Sequence, residues 1–568
     1  MRLLDWVVLV GSLASIIAYG LYRGRGSNTV DRYLLAGKSM PWYAMALSIM
    51  ATQASAITFI STTGQSYVDG MRFVQFYFGL PLAMVVLCAT AVPIFHRAEV
   101  YTAYEYLERR FDAKTRALAS LIFLMQRGLS VGLTFYAPAI VLSVIFGWPD
   151  RLTTLIIGVT VVLYTVTGGI RTVTWTDVQQ MLIIFCGLLV ALITIIHMLP
   201  QQVSLLDAMR LAGSAGKLNA VNFHFDWNDR YNLWSGLIGG MFLALSYFGC
   251  DQSQVQRYLT GKSIAQSKLS LLFTAVAKIP MQFFILFIGA MVFVFYIFEP
   301  PPLVFQRIEY DRIQSGAARA RYEPIAARYQ DAFARRKQAA LDIVAARHGG
   351  DPRGAEDAQG RYRQALEDVD TARNQGASLV AATGGEKGFK DTNYIFLSFV
   401  TRYLPAGIVG LVIAVILAAT MSSSSGEINS LATVSVVDIY KRHVRKGATD
   451  HHYLTASRVA TAFWGAYAVV FSGLGKNVGS LIEAVNFVGS LFYGSLLGVF
   501  VLAFFFKRVT GTGAFCGMLA GEAAVIVAWR SGIAYLWYNV IACVVVVATA
   551  TAVSSFSPAA SARPDITR

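Results

Sequence analysis

The chain has 568 residues, 55% of them hydrophobic and 14% charged, with a mean hydropathy of +0.52. Soluble domains carry roughly 25% charged residues, so one soluble core cannot absorb this sequence, and the composition points to a polytopic protein of the lipid bilayer. The net charge of +15 sits in short basic clusters between apolar spans, which fits the positive-inside bias and argues against a nucleic-acid partner.

In chain order, the stretch Trp6 to Leu21 lacks a basic start and a small-residue cleavage site, so it reads as a retained helix rather than a signal peptide. Apolar runs of about 20 residues predict an all-α bundle of thirteen transmembrane helices near 4–22, 41–67, 73–95, 117–147, 153–170, 177–199, 234–256, 271–298, 401–430, 453–474, 479–506, 511–530 and 534–553. Basic clusters follow every second span: Arg23/Arg25, His96 to Arg116, Arg171, Arg257/Lys262, Lys441 to Lys446 and Lys507/Arg508. They share one face if the N-terminus is outside and the C-terminus cytoplasmic, in a multi-pass plasma or inner membrane protein. The polar segment 299–392 then lies outside, with helical patterning around 318–347 and 360–374 and a break at Gly349 to Gly354. It reads as a solvated helical hairpin or a partly disordered loop, or as a lid or docking element. The five cysteines fall in apolar segments without CxxC spacing and read as packing residues.

Two stretches carry chemistry. One is the run Ile416 to Ser430, which holds Ser422-Ser423-Ser424-Ser425-Gly426-Glu427 inside an apolar helix. Polar groups there are costly unless they face a partner, a cavity or an ion. The other is Ser48 to Gln65, small and hydroxyl-rich through its centre. Small residues also serve close helix packing, but beside the serine run a shared cation site is the better reading. Sodium prefers hard oxygen ligands. A regular helix has no free carbonyls, so such a site needs one unwound helix for carbonyls and a second for hydroxyls, as in secondary transporters.

The segments Tyr33 to Trp42, Ala51 to Ile60, Thr102 to Phe111, Tyr164 to Gln179, Asp251 to Arg257 and Ala418 to Asn429 resemble, in order along most of the chain, the sodium/solute symporter family. The resemblance implies a LeuT-like fold of two inverted five-helix repeats, with one extra helix before and two after. It implies residues 1–298 as the first helix, the first repeat and the start of the second, an insert at 299–392, the rest of the second repeat at 393–506, and two accessory helices and a tail at 507–568. It also implies alternating access driven by Na+, with a monomer as functional unit although the oligomeric state is not legible.

By the same resemblance, the principal sodium site comprises the Ala51 and Ala54 carbonyls, the Ala419 carbonyl, Ser422 and Ser423. A second sodium site, found in sialic acid transporters among others, would use Asp177, Ser422 and Ser425. Its third serine position is Gly426 here, and Asp177 also reads as a helix-start carboxylate. The solute contacts implied are Ser55, Thr58, Arg127 and Tyr247, with Gln75 and Phe78 on the outer side, and Tyr247–Phe248 resembles an inner gate. Two readings stand for Arg127: it binds a solute carboxylate bidentately, or it snorkels or pairs with Glu105 or Glu108. Two also stand for Glu427: pairing with a basic loop residue near the inner face, or coupling to a proton or cation. Thr58 and Ala244 replace the polar residues of the sugar-transporting branch, which favours a small organic anion of the sialic acid or monocarboxylate type. The alternatives are a sugar, polyol or amino-acid symporter of the same family, or a transporter-like sensor. A channel fits less well, because channels are commonly oligomers of short repeats around a filter. An enzyme is not expected, since no nucleophile, metal-ligand or phosphate-binding pattern occurs.

Overall fold

The computed structural model describes residues 2–23, 29–384, 389–473 and 480–556. Arg25 and the tail 557–568, both used in the sequence reading, lie outside them, as do the side chains of Tyr164 and 167–169 in one quoted motif. Each of the thirteen expected spans falls on helix. Ten helical stretches among the described residues are long and apolar enough to cross a membrane, with two shorter apolar helices, Arg151–Leu163 and Ser235–Gly249. In lipid a backbone must satisfy itself, so an all-helical bundle is the expected solution.

The expected spans 153–170 and 177–199 run together as the helical stretch Asp150–His197. Its contacts nevertheless reverse. Gly158 lies against Val469 and Gly465 against Val162, while the Tyr33 hydroxyl reaches the Thr165 carbonyl. Beyond that, Thr172 and Thr176 meet Gly20 at the other end of the bundle, and Gly187 lies near Val412 back at the first end. The contacts thus fall into two sets, one before Thr165 and one after Thr172, matching the two expected spans.

Two helices are broken in mid-membrane. Trp42–Gln53 stops where Ala54 (φ −91°, ψ 51°) and Ser55 (φ −68°, ψ 172°) leave the helical region, and Ala56–Asp69 resumes. Thr58 Oγ1 donates to the freed Gln53 carbonyl at 2.6 Å. In the second half, Gly240–Gly249 stops at Cys250 (φ −126°, ψ −24°) and Asp251 (φ −79°, ψ 118°) before Gln252–Leu259. There Tyr104 OH donates to the Cys250 carbonyl at 2.9 Å and Asp251 caps the Ser253 N–H at 2.9 Å. Irregular backbone at membrane depth survives only where such partners exist or a cavity is lined. Between these breaks lies the serine-run helix Ile408–Val434, buried along nearly its whole length.

At one end of the bundle, Arg116 bridges Glu108 (2.8 Å) and Asp438 (2.5 Å), Arg442 pairs with Glu108, and Arg109 pairs with Glu105 at 2.6 Å. Arg110 donates to the Phe506 and Lys507 carbonyls at 2.8 and 2.9 Å, capping the helix Leu481–Phe505.

The insert is a helical hairpin, Arg319–His348 and Pro352–Gly384, preceded by Arg307–Ser315. It lies along the bundle. Tyr329 OH donates to Pro301 O (3.2 Å), Arg336 to Tyr296 O (2.6 Å) and Lys337 to Phe298 O (2.8 Å), so two cations cap the C-terminal carbonyls of Ile264–Phe298. His348 Nε2 sits 3.1 Å from Asp207, and Arg373 pairs with Asp391 at 3.0 Å.

Asp207 gives a pH signature. Burial alone would raise its carboxyl, but hydrogen bonds from the Ser204 hydroxyl and backbone and from His348 hold it below the usual range. A depressed folded-state value means stability that is present above the ordinary aspartate range and lost as pH falls through the folded value. Asp207→Asn should therefore destabilise the protein by about 1 kcal/mol at neutral pH, with the gap closing below about pH 4. Thermal melts of both proteins across pH check it; a gap that widens on acidification would contradict this origin.

Candidate functional site

The first break, the helix leading into the second and the serine-run helix meet around a cavity of about 90 Å³. Its lining includes Thr52, Gln53 and Ser55 from the first break, Phe76 and Tyr77, Arg127 and Thr134, Tyr247, Ser423 and Glu427, and Asn486 and Tyr493.

Arg127, 2% exposed, is the hub. Its Nη1 donates to Glu427 Oε1 at 3.0 Å, and its Nη2 to the Tyr493 hydroxyl at 2.8 Å and to Asp251 Oδ2. Tyr493 OH in turn donates to Asp251 Oδ2 at 2.9 Å, and Ser253 Oγ to Asp251 Oδ1 at 2.7 Å. The Tyr247 ring centroid lies 5.6 Å from the Arg127 guanidinium carbon, and Gln254 holds the Tyr247 hydroxyl at 2.7 Å. These groups come from four separate stretches of chain and enclose one cation and two carboxylates.

This geometry corrects two expectations. Arg127 neither snorkels nor pairs with Glu105 or Glu108, whose partners are Arg109, Arg116 and Arg442. Glu427 is not an inner-face carboxylate tied to a basic loop residue; it borders the cavity on Arg127. Sequence reasoning missed Asp251, Tyr493 and Asn486. The signal for Asp251 was present, because a carboxylate inside an apolar span asks for a partner as much as an arginine does.

The expected sodium ligands fall beside this cavity. Among the described residues no hydrogen bond reaches the carbonyls of Ala51 or Ala54, and the buried Ser422 hydroxyl has no partner. Ser423 Oγ lies 2.9 Å from the Ala419 carbonyl and 3.5 Å from the Thr52 carbonyl across the break. Unused oxygens of this kind, on an unwound helix and on its neighbour, suit a small hard cation.

At the second sodium set a cation of the chain itself sits on the aspartate, while Asp177 Oδ1 and Ser422 Oγ are buried without partners among the described residues. Asp177 Oδ2 accepts from Ser48 at 2.5 Å and from Arg257 Nη1 at 2.9 Å, while Ser425 Oγ turns back to the Ser422 carbonyl at 3.0 Å. A methyl at Gly426 would run into Arg257 Nη2. The missing third serine is thus the room that a guanidinium occupies, and Arg257 supplies Asp177 with its positive charge.

Other expected contacts separate. Ser55 and Tyr247 line the cavity. Thr58 is spent on the Gln53 carbonyl. Phe248 backs Tyr247 edge-on at 5.0 Å. Gln75 lies outside the cavity lining and staples two segments, donating to the Tyr231 carbonyl at 2.9 Å and accepting from the Asn222 N–H at 2.9 Å. Phe78 does not line the cavity either; its neighbours Phe76 and Tyr77 do.

Comparison with known proteins bears on the whole arrangement. The human sodium-coupled monocarboxylate transporter 1 is 27% identical over 522 residues, covering 91% of this chain and 72% of that protein. The sodium/sialic acid symporter SiaT of Proteus mirabilis is 26% identical over 567 residues, covering 98% and 96%. A solved Na+-coupled sialic acid symporter, in a substrate-bound outward-open state, superposes with a TM-score of 0.75 over 99% of both chains at 24% identity, showing the same fold. The family model described as "Sodium:solute symporter family" matches residues 33–304 and 376–521, leaving out most of the hairpin. The chain belongs to the sodium:solute symporter family, with Na+ as its coupling ion.

Proposed function

We propose that this symporter imports a small organic solute bearing a carboxylate, by alternating access, with its N-terminus outside and its C-terminus cytoplasmic. The observation that carries the solute class is the donor set of the cavity. Arg127 Nε and Asn486 Nδ2 are buried donors without partners among the described residues, and both residues border the cavity. A carboxylate accepts from such a pair. Relatives that transport monocarboxylates and sialic acids support the same class. Sodium is held by the Ala51, Ala54 and Ala419 carbonyls with Ser422 and Ser423. Because Arg257 already neutralises Asp177, one sodium accompanies each solute. Tyr247 and Phe248 close the inner side.

Arg127→Lys tests the solute site while keeping a charge between Asp251 and Glu427. Lysine lacks the planar fork, and a hydrogen bond to a charged group contributes about 1.5–3 kcal/mol. Affinity for a carboxylated solute should fall about ten- to a hundredfold, with stabilisation by sodium alone unchanged. Sodium-dependent binding to the purified protein is the measurement, and undiminished affinity would refute the assignment.

A further inference from the structure

Arg23 and Arg171, both half-buried, carry charge that the protein does not balance. Among the described residues neither side chain makes a hydrogen bond or an ion pair, and the Nε of each is buried without an acceptor. Arg109, Arg116 and Arg442, by contrast, are each paired with a carboxylate. The acids closest in sequence do not serve. Asp31 forms no ion pair with either arginine, and Asp177 is taken by Arg257. The flanking stretches 24–28 and 167–169 contain no acidic residue. Arginine stays protonated, so two positive charges are left for something outside the chain.

The two lie together. Thr172 and Thr176 pack where Gly20 leaves room, which sets Arg23 one turn beyond that contact and Arg171 beside it. Arg171 stands one turn before Trp175 on its own helix, and the Arg23 guanidinium carbon lies 4.0 Å from the centroid of the Trp175 ring. From Trp175 a strip of rings continues through Tyr43 at 6.4 Å, Trp42 at 6.2 Å and Phe273 at 5.7 Å, centroid to centroid. Tyr43 and Phe273 are 45% and 39% exposed. The strip joins the helices Leu3–Arg23, Trp42–Gln53, Asp150–His197 and Ile264–Phe298.

Tryptophan and tyrosine collect at the membrane–water boundary, at headgroup depth. The strip therefore sets two guanidiniums without counter-ions at the level of lipid phosphates. The planar fork of arginine suits phosphate oxygens, and basic pockets between membrane helices hold anionic headgroups. A zwitterionic headgroup brings its own cation, and these arginines have no paired carboxylate to receive it.

We propose that Arg23 and Arg171 bind the phosphate of an anionic phospholipid, with an acyl chain lying against the strip from Trp175 to Phe273. The lipid ties the helix Leu3–Arg23 to the stretch that carries Asp177, where the protein's own contact is made by a glycine and two threonines. Neither arginine borders the central cavity, so this site is separate from the solute.

Thermal stability of the full-length protein in detergent, titrated with dioleoylphosphatidylglycerol or dioleoylphosphatidylcholine, tests it. The anionic lipid should half-saturate at a concentration about tenfold or more below the zwitterionic one. Arg23→Gln and Arg171→Gln should each raise that concentration about fivefold, the scale of one basic residue at an anionic surface, and together remove the preference. Arg445→Gln with Lys446→Gln, a pair of exposed cations elsewhere, should leave it unchanged. Equal response of the wild type to both lipids, or a preference that survives in the Arg23/Arg171 double variant, overturns the site. An equal loss in the control pair overturns it too, in favour of general surface charge. Inorganic phosphate that reproduces the stabilisation overturns the lipid assignment. Should the glutamine variants fail to fold, a phosphatidylglycerol with a photoreactive acyl chain decides on the wild type: label on Tyr43 or Trp175 supports the site, and label only elsewhere overturns it.

Discussion

Replacing Arg257 by glutamine should destabilise the protein by about 3–5 kcal/mol, because it strands the fully buried Asp177 without its cation. Adding Gly426→Ser to that variant should restore folding in a sodium-dependent way. The new hydroxyl would occupy the room vacated by Arg257 Nη2. With Asp177, Ser422 and Ser425 it would complete an oxygen donor set of the kind hard cations take. Thermal stability titrated with sodium reads the outcome: a slope of about 1 for the wild type and a steeper one, approaching about 2, for the double variant. A double variant with no added response to sodium would show that the guanidinium is not standing in for a second ion.

Ser422→Ala and Ser423→Ala should each raise the sodium concentration needed for half-maximal solute binding by about ten- to a hundredfold, the scale on which perturbed metal sites lose affinity. The same substitutions should leave the sodium-free protein close to wild type. Among the described residues the Ser422 hydroxyl makes no hydrogen bond that its loss could break, and Ser423 gives up a bond to the Ala419 carbonyl within its own helix. Ser424→Ala is the control. Its hydroxyl is equally buried and unpartnered, yet it has no place in the proposed ligand set. A sodium requirement that shifts equally in all three variants would mean that helix packing, not coordination, is being measured.

Much of this architecture was readable from the chain because it depends on local pattern. Apolar length located the spans, and the small, hydroxyl-rich stretch around Ala54 and Ser55 marked the first break. The second break, at Cys250 and Asp251, lies within a span whose apolar character gave no such signal before Asp251. Gln75 and Phe78 fall outside the cavity lining for a geometric reason. The segment Gly70–Tyr77 is a 3-10 helix, where three residues per turn change which side chains share a face. Phe76 and Tyr77 face the cavity instead. The partners of Arg127 were out of reach for another reason: they stand 124 and 300 residues away in the chain. No periodicity encodes which of several buried charges will meet. Arg257 shows the same limit, since Gly426 announced only a missing ligand and not the residue that fills its space.

The hairpin divides the molecule mechanically. Its first helix is tied at Tyr329, Arg336, Lys337 and His348 to points running from Pro301 and the end of Ile264–Phe298 to Asp207 in the short helix Leu205–Ser214. Nineteen residues of straight helix separate the outermost ties, about 28 Å of rod. A rod of that length does not stretch, so the C-terminal end of one transmembrane helix and a loop helix nearly a hundred residues earlier are held at a fixed separation. While those ties hold, the two ends move together. Flexing at this end of the bundle is therefore expected at joints that the rod does not span.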